Sequence, residues 1–401
     1  MYAGKPAIRL YHGRKCTCRW RPSRFRELND WILGYTISYA INTCVYSMTE
    51  SENIGVLPLP TDVDRVDAAW LSQALGVQVA SAQIVDLIRG ASTKIRIRLE
   101  TDNPDIPSTL IVKGGFEPHS PKLREMYAIE ALFYREVAPV LPIRVPRSWF
   151  AESDPSSHQS IIIMEDLTQS GVTFLHVSKP SSYEQAAVRL RALAKFHAST
   201  WNDNGFAPGG RWAHIQARFS NPFFQGYIDH YLSAEVWKSY MDSPRGACVS
   251  ARLRDREWMR HALSRLGQLE REGPLCIIHG DAHQGNLYLE QDGTPGFLDQ
   301  QIAKASPFLE VSYNVIGGLD QADRARYEQA LLGVYLEALA AEGVDVPDFD
   351  YAWLTYRQTI ASALFIFLIN ETLFQPEWVN TAYTARYGAA AVDHDVIGLL
   401  S

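Results

Sequence analysis

Between residues 276 and 290 the chain reads CIIHGDAHQGNLYLE, which sets His279, Asp281, His283 and Asn286 within eight positions between two apolar runs. A stretch that only reversed the chain would be served by Ser, Gly or Asn, so two imidazoles, a carboxylate and an amide at one strand end point to chemistry. Four residues separate Asp281 from Asn286, and the next stretch, NLYLEQDGTPGFLDQQ, reads as a hairpin that returns to Asp299. Three oxygen-bearing side chains can therefore converge. Mg²⁺ takes hard oxygen ligands, usually one or two carboxylates together with phosphate oxygens, a role open to Asn286 and Asp299. Asp281 then remains to hold a hydroxyl that attacks a phosphoryl group.

The D-x-x-x-x-N spacing followed by a metal-binding Asp is the catalytic-loop pattern of protein kinases. Such a reaction also needs a cation against the phosphates. Lys113 stands alone at the end of the apolar strand STLIV. In PKLREMYAIEALFYREV, Met126, Ile129, Phe133 and Val137 recur at helical spacing, and Glu130 projects from that apolar face. A carboxylate there is either paired, with Lys113 as its partner, or sits at the edge of the face and reaches water.

The elements that must position these groups read as follows. A short helix surrounds Trp70 and Leu71. The strands IVDLIRG and TKIRIRLE flank the turn RGASTK, STLIVKGGF follows, and SIIIMEDL at 160–167 gives a further strand. Beyond it, AAVRLRALAKFHASTW, PFFQGYIDHYLSAEVWKSYM, RLRDREWMRHALSRLGQLE, DRARYEQALLGVYLEALA and YAWLTYRQTIASALFIFLI carry helix-length apolar periodicity, interrupted by a single strand feature, the hairpin after Asn286. The expected fold is α+β: a small β-rich lobe over 48–167 ahead of a larger helical lobe over 168–401.

Composition is that of a globular chain: 46% hydrophobic and 21% charged over 401 residues. Five cysteines without a CxxC pair indicate neither a disulfide framework nor a zinc ribbon, and a reducing, cytoplasmic setting fits. Residues 1–47 hold eight Lys/Arg and two Asp/Glu, leaving 30 basic against 43 acidic residues in the rest. That acidic body argues against a nucleic-acid or anionic-membrane partner. The uncharged run from Trp31 to Met48 includes Thr36, Ser38, Asn42, Thr43 and Ser47, which argues against membrane insertion, and TISYAI within it alternates like a strand. Residues 1–47 read as an extension outside the catalytic fold.

Taken in order, the strand-borne Lys113, IEALFYREV, AKFHASTW, HGDAHQGN and FLD, whose Asp lies 18 positions after Asp281, resemble the aminoglycoside phosphotransferase and choline kinase-like group, nearest its ecdysteroid kinase-like branch. The resemblance spans roughly 60–395 and implies a bilobal protein-kinase-like fold with ATP and Mg²⁺ as cofactors. Carried across, it implies Asp281 as catalytic base, Asn286 and Asp299 as metal ligands, Lys113 on the α/β-phosphates and Glu130 orienting Lys113. Gly90 and Ser92 would cover the phosphates, and the backbone of Met164, Glu165, Asp166 and Leu167 would meet adenine. His279 would brace the loop, and His283 would lie nearer the acceptor. Two features depart from the group. RGASTK has one glycine, and Asp299 is followed by Gln300 and Gln301 where an aromatic usually stands next.

Two rival readings exist: an HxDxH metal-dependent hydrolase built on His279, Asp281 and His283, and a nucleotide-binding kinase-fold module without turnover. The partner expected is a small molecule that accepts phosphate on a hydroxyl. Ten of the 45 aromatic residues fall between Trp201 and Tyr240, among them Phe223, Tyr227 and Tyr231 at helical spacing, against only Asp203, Asp229 and Glu235. They form either helix core or an acceptor site, and the latter leans toward a bulky apolar or sterol-like acceptor over an aminoglycoside.

Overall fold

The computed structural model describes residues 57–401. The extension 1–47, its strand-like TISYAI and the start of the fold near Met48 lie outside the described residues. The Asp67 carboxylate accepts from the Trp70 amide at 2.8 Å to cap helix α1 (Ala68–Leu75), and Gly76, at φ 64°, ends it. Strands β1 (Ser81–Ile88), β2 (Thr93–Glu100), β3 (Thr109–Gly114), β4 (Ser148–Asp154) and β5 (Gln159–Glu165) form an antiparallel sheet in the order β1-β2-β3-β5-β4. Alternation along TKIRIRLE buries Thr93, Ile95, Ile97 and Leu99, the last three clustering with Trp70 and Leu71 of α1. Lys94, Arg96 and Arg98 take the other face, and the register sets Lys94 directly opposite Lys113.

Helix α2 (Arg124–Leu132) packs on β4 and β5 and widens into a π-helical turn at Phe133–Val137, so the predicted apolar stripe is kept while the helix is not uniform. The helical lobe carries α3 (Tyr183–Ala198), α4 (Pro222–Tyr231), α5 (Ala234–Met241), α6 (Pro244–Ala247), α7 (Arg256–Glu272), α8 (Pro307–Gly318), α9 (Gln321–Ala341), α10 (Phe349–Ile369), α11 (Glu377–Asp393) and α12 (Val396–Leu399). Helix α10 has the length and apolarity of a membrane span, yet most of it is buried against α7, α8, α9 and α11.

The expected hairpin is present as β8 (Leu287–Leu289) and β9 (Pro295–Phe297), turned at Gly293 with φ 85°. It is not alone, as the sequence suggested. β6 (Thr173–Phe174) pairs with β8, and β7 (Cys276–Ile278) pairs with β10 (Ala303–Ala305). Strands of two or three residues are too short for alternation to register in sequence. Helix α8 escaped notice for a different reason: every residue of it is buried, so it has no polar face.

Candidate active site

One face of α8 holds the loop between β7 and β8. Glu310, Tyr313 and Asn314 stand at i, i+3 and i+4, on one side of the helix. The Glu310 carboxylate accepts from the amides of His279 (3.0 Å) and Gly280 (2.9 Å) and bonds His197 Nε2 of α3 at 2.8 Å. Burial alone would raise this carboxyl, but the bonds from His197 and the His279 amide hold it below its ordinary value. Asn314 donates to Ala282 O at 3.1 Å, and its Oδ1 accepts from the buried Arg189, which also donates to Ser181. Gly280, at φ 85°, must be glycine, because a Cβ would lie 2.0 Å from Gln301 O.

Tyr313 donates its hydroxyl to Asp281 Oδ1 at 2.8 Å, and Asn286 Nδ2 donates to Asp281 Oδ2 at 2.9 Å. Burial, with the Asp281 charge beside it, pushes the Tyr313 phenol well above its usual range, so it remains a donor. Leu298 N–H donates to Asn286 O at 2.8 Å, which brings Asp299 beside Asn286 as the hairpin returns. Asp299 sits at φ 56°, a left-handed conformation that Asp tolerates.

Lys113 bonds Glu130 at 2.6 Å and Asp299 at 2.5 Å. Glu130 is buried, so the paired reading holds and the water-reaching one does not. Burial would lower Lys113, but the two carboxylates outweigh it and hold its pKa above the usual lysine range. Asp299 is held far below the carboxylate range: Lys113 and then Lys94 outweigh its burial. Its side chain keeps 41% exposure, so an oxygen remains open to solvent. With Asn286 Nδ2 committed to Asp281, the Asn286 amide oxygen and the Asp299 carboxylate are left as hard oxygen donors of the kind Mg²⁺ takes. Gln300, which stands where an aromatic is usual, is buried and donates to Phe297 O at 3.1 Å, and Gln301 ties this segment to α2 through Met126 O at 3.2 Å.

The β1–β2 turn carrying Gly90 and the buried Ser92 is strapped down rather than loose. Tyr127 donates to Ala91 O, His119 Nε2 lies 3.2 Å from the same oxygen, and Glu117 binds both Arg89 and Thr93. At the end of β5, Met164 is buried, Glu165 pairs with Arg144 and Asp166 with Arg96, so only backbone is left there to meet a base. Lys94 was not singled out from the sequence. Alternation along β2 sets its face, and the β2–β3 register sets it opposite Lys113.

His279 is fully buried and accepts from the Asp281 amide at 3.2 Å. His283 accepts from Gly285 N–H at 2.9 Å on Nδ1, which puts its proton on Nε2, 2.9 Å from the Gln375 amide. A Gln375 amide turned with its oxygen toward Nε2–H satisfies both groups. Burial lowers both imidazoles. The two rings thus serve the loop, and among the described residues no three His, Cys, Asp or Glu side chains are grouped to hold a metal, which removes the HxDxH arrangement.

Asp281 opens on a cleft bordered by Phe223, Phe224, Tyr227, Phe367 and Phe374, with Arg218 among them. Of the ten clustered aromatics, only Phe223, Phe224 and Tyr227 reach this cleft. Trp212, Phe219, Tyr231 and Trp237 are core.

Solved structures similar to this chain include a spectinomycin phosphotransferase with ADP and spectinomycin (11% identity, 82% of this chain and 97% of that one, TM-score 0.46). A choline kinase from Streptococcus pneumoniae (15%, 79% and 94%, TM-score 0.44) and an amicoumacin kinase with AMP-PNP and Ca²⁺ (13%, 79% and 89%, TM-score 0.45) are others. No curated protein matches the chain. Residues 90–345 match the ecdysteroid kinase-like family, well over half of the chain, and the protein therefore belongs to that family.

Proposed function

We propose that the protein is an ATP- and Mg²⁺-dependent O-phosphotransferase acting on a hydroxyl of a bulky, largely apolar small molecule. The observation that carries this reading is Asp281, a carboxylate fixed by Tyr313 and Asn286 that opens on an aromatic-walled cleft. Bound at Asn286 and Asp299, Mg²⁺ would neutralise phosphate charge. Lys113, steadied by Glu130, would exchange its contact with Asp299 for phosphate oxygens, and Lys94 beside it would add a second cation. Asp281 would orient the acceptor hydroxyl and take its proton as the oxygen bonds to the γ-phosphorus and ADP leaves. On this reading residues 48–167 cover the nucleotide and 168–401 bind the acceptor. Cys248 and Cys276 are free thiols, compatible with a reducing cytoplasm.

The test is an ATP-consumption screen in Mg²⁺ across hydroxylated sterols, long-chain alcohols, choline and aminoglycosides. Turnover on apolar alcohols, lost in Asp281→Asn, is expected. Strong turnover of an aminoglycoside with none on apolar alcohols would overturn the acceptor assignment, and absence of any Mg·ATP binding would overturn the kinase reading.

A further inference from the structure

Arg218 borders both the aromatic cleft and a smaller adjoining recess formed with Ile278, Gly280, Leu309 and Glu310. Its backbone is fixed: the Arg218 amide donates to Lys304 O at 3.0 Å, and Ala217 forms a bridge to Lys304 beside β10. Arg218 is half-buried, its guanidinium lies over the Phe224 ring at 4.5 Å, and among the described residues it makes no side-chain hydrogen bond or salt bridge.

The nearby carboxylates are occupied. Glu310 holds the loop amides and His197, Asp281 is taken by Tyr313 and Asn286, and Glu371 accepts from the Tyr231 hydroxyl. Glu270 accepts from the Phe219 amide at 3.3 Å. Burial pushes it up to about 7, and Lys304 and Arg271 share with Arg218 whatever charge it carries. The mostly apolar cleft thus presents a guanidinium that no carboxylate among the described residues engages by a hydrogen bond or salt bridge. A planar fork of donors on an aromatic wall suits a carboxylate bound in bidentate fashion.

We propose that the natural acceptor is itself an anion: a hydroxylated molecule with a large apolar body, whose carboxylate pairs with Arg218 while its hydroxyl meets Asp281. This rests on the phosphotransferase reading above and narrows it, for the same cation disfavours aminoglycosides and quaternary amines.

The test measures ADP release and ligand-induced thermal stabilisation, in Mg·ATP and Mg·ADP respectively, with two matched pairs: cholate and its methyl ester, ricinoleate and its methyl ester. The acids are expected to exceed their esters by about ten- to a hundredfold in kcat/KM or in affinity, the range of a hydrogen-bonded charge pair. Arg218→Gln should bring that ratio near unity and Arg218→Lys should retain part of it, a rescue that a merely structural arginine would not give. Equal handling of acid and ester, a preference that survives Arg218→Gln, or failure of both acids to bind overturns the proposal while leaving the kinase reading intact if esters or neutral alcohols are phosphorylated. Absence of Mg·ATP binding in the wild type overturns both.

Discussion

On the phosphotransferase reading, the nucleotide wall around Lys113 and the acceptor wall beside Asp281 solve opposite problems. On the first, Lys113, Glu130 and Asp299 form a closed set of charges, and the turn above them is strapped by Glu117, His119 and Tyr127. On the second, rings from α4, α10 and the α10–α11 connection leave a mostly apolar surface with one guanidinium and one carboxylate. A polyanion with a metal can displace ion pairs that already hold the groups at the correct spacing. A neutral hydroxyl cannot compete for charge, so its wall works by excluding water and fixing a single base. Between the two, α8 grips the loop with Glu310, Tyr313 and Asn314.

The largest effect that would break this contrast is at Asp281. Asp281→Asn should cut phosphoryl transfer by about 10²- to 10⁴-fold in a single-turnover assay, and a smaller loss would mean that the acceptor wall does not rely on one base. On the nucleotide wall, Lys113→Met should cost about 10²-fold in kcat/KM for ATP. Adding Glu130→Gln should then do little more, because both act through one interaction; additive losses would give Glu130 a separate role.

Glu310 tests the element between the walls. Its carboxyl is held below the ordinary value in the folded state, so its stabilisation is present above about pH 4.3 and is lost as pH falls through the lowered folded value. Glu310→Gln should destabilise by about 2–4 kcal/mol at neutral pH and flatten the acid limb of a Tm–pH profile. An unchanged acid limb would refute the grip. The smallest effect is at Lys94. Because it faces Lys113 across the sheet, Lys94→Met should leave the apo protein as stable or slightly more so, yet raise KM for ATP by about three- to tenfold. Losses of the same sign in both would mean a packing role.

How much of this could be read from sequence differs between the same two walls. Lys113, Glu130, Asp281, Asn286 and Asp299 lie at strand ends, in a helix face and in a loop, where residue type and spacing carry the signal; the structure pairs Lys113 with Glu130 as expected and adds Asp299, a contact the sequence reading did not include. Glu165 and Asp166 were legible as a strand end but not as partners of Arg144 and Arg96, since ion pairs between residues distant in the chain leave no local pattern. Tyr313, Glu310 and Asn314 went unread because α8 is buried all round. The available signal was three polar residues at i, i+3 and i+4 in an apolar run, which burial obliges to be bonded. The aromatic cluster, read as either core or acceptor site, divides between the two. Most of its rings fill the helical core, and the cleft also takes Phe367 and Phe374 from residues more than a hundred positions away.

The central claim is that Asp281 serves the acceptor while Asp299 serves the metal–nucleotide complex. Calorimetric titration of Mg·ATP into the wild type, Asp281→Asn and Asp299→Asn tests it without knowledge of the acceptor. The account predicts near-wild-type affinity in Asp281→Asn and loss of binding in Asp299→Asn; equal weakening in both variants would contradict it.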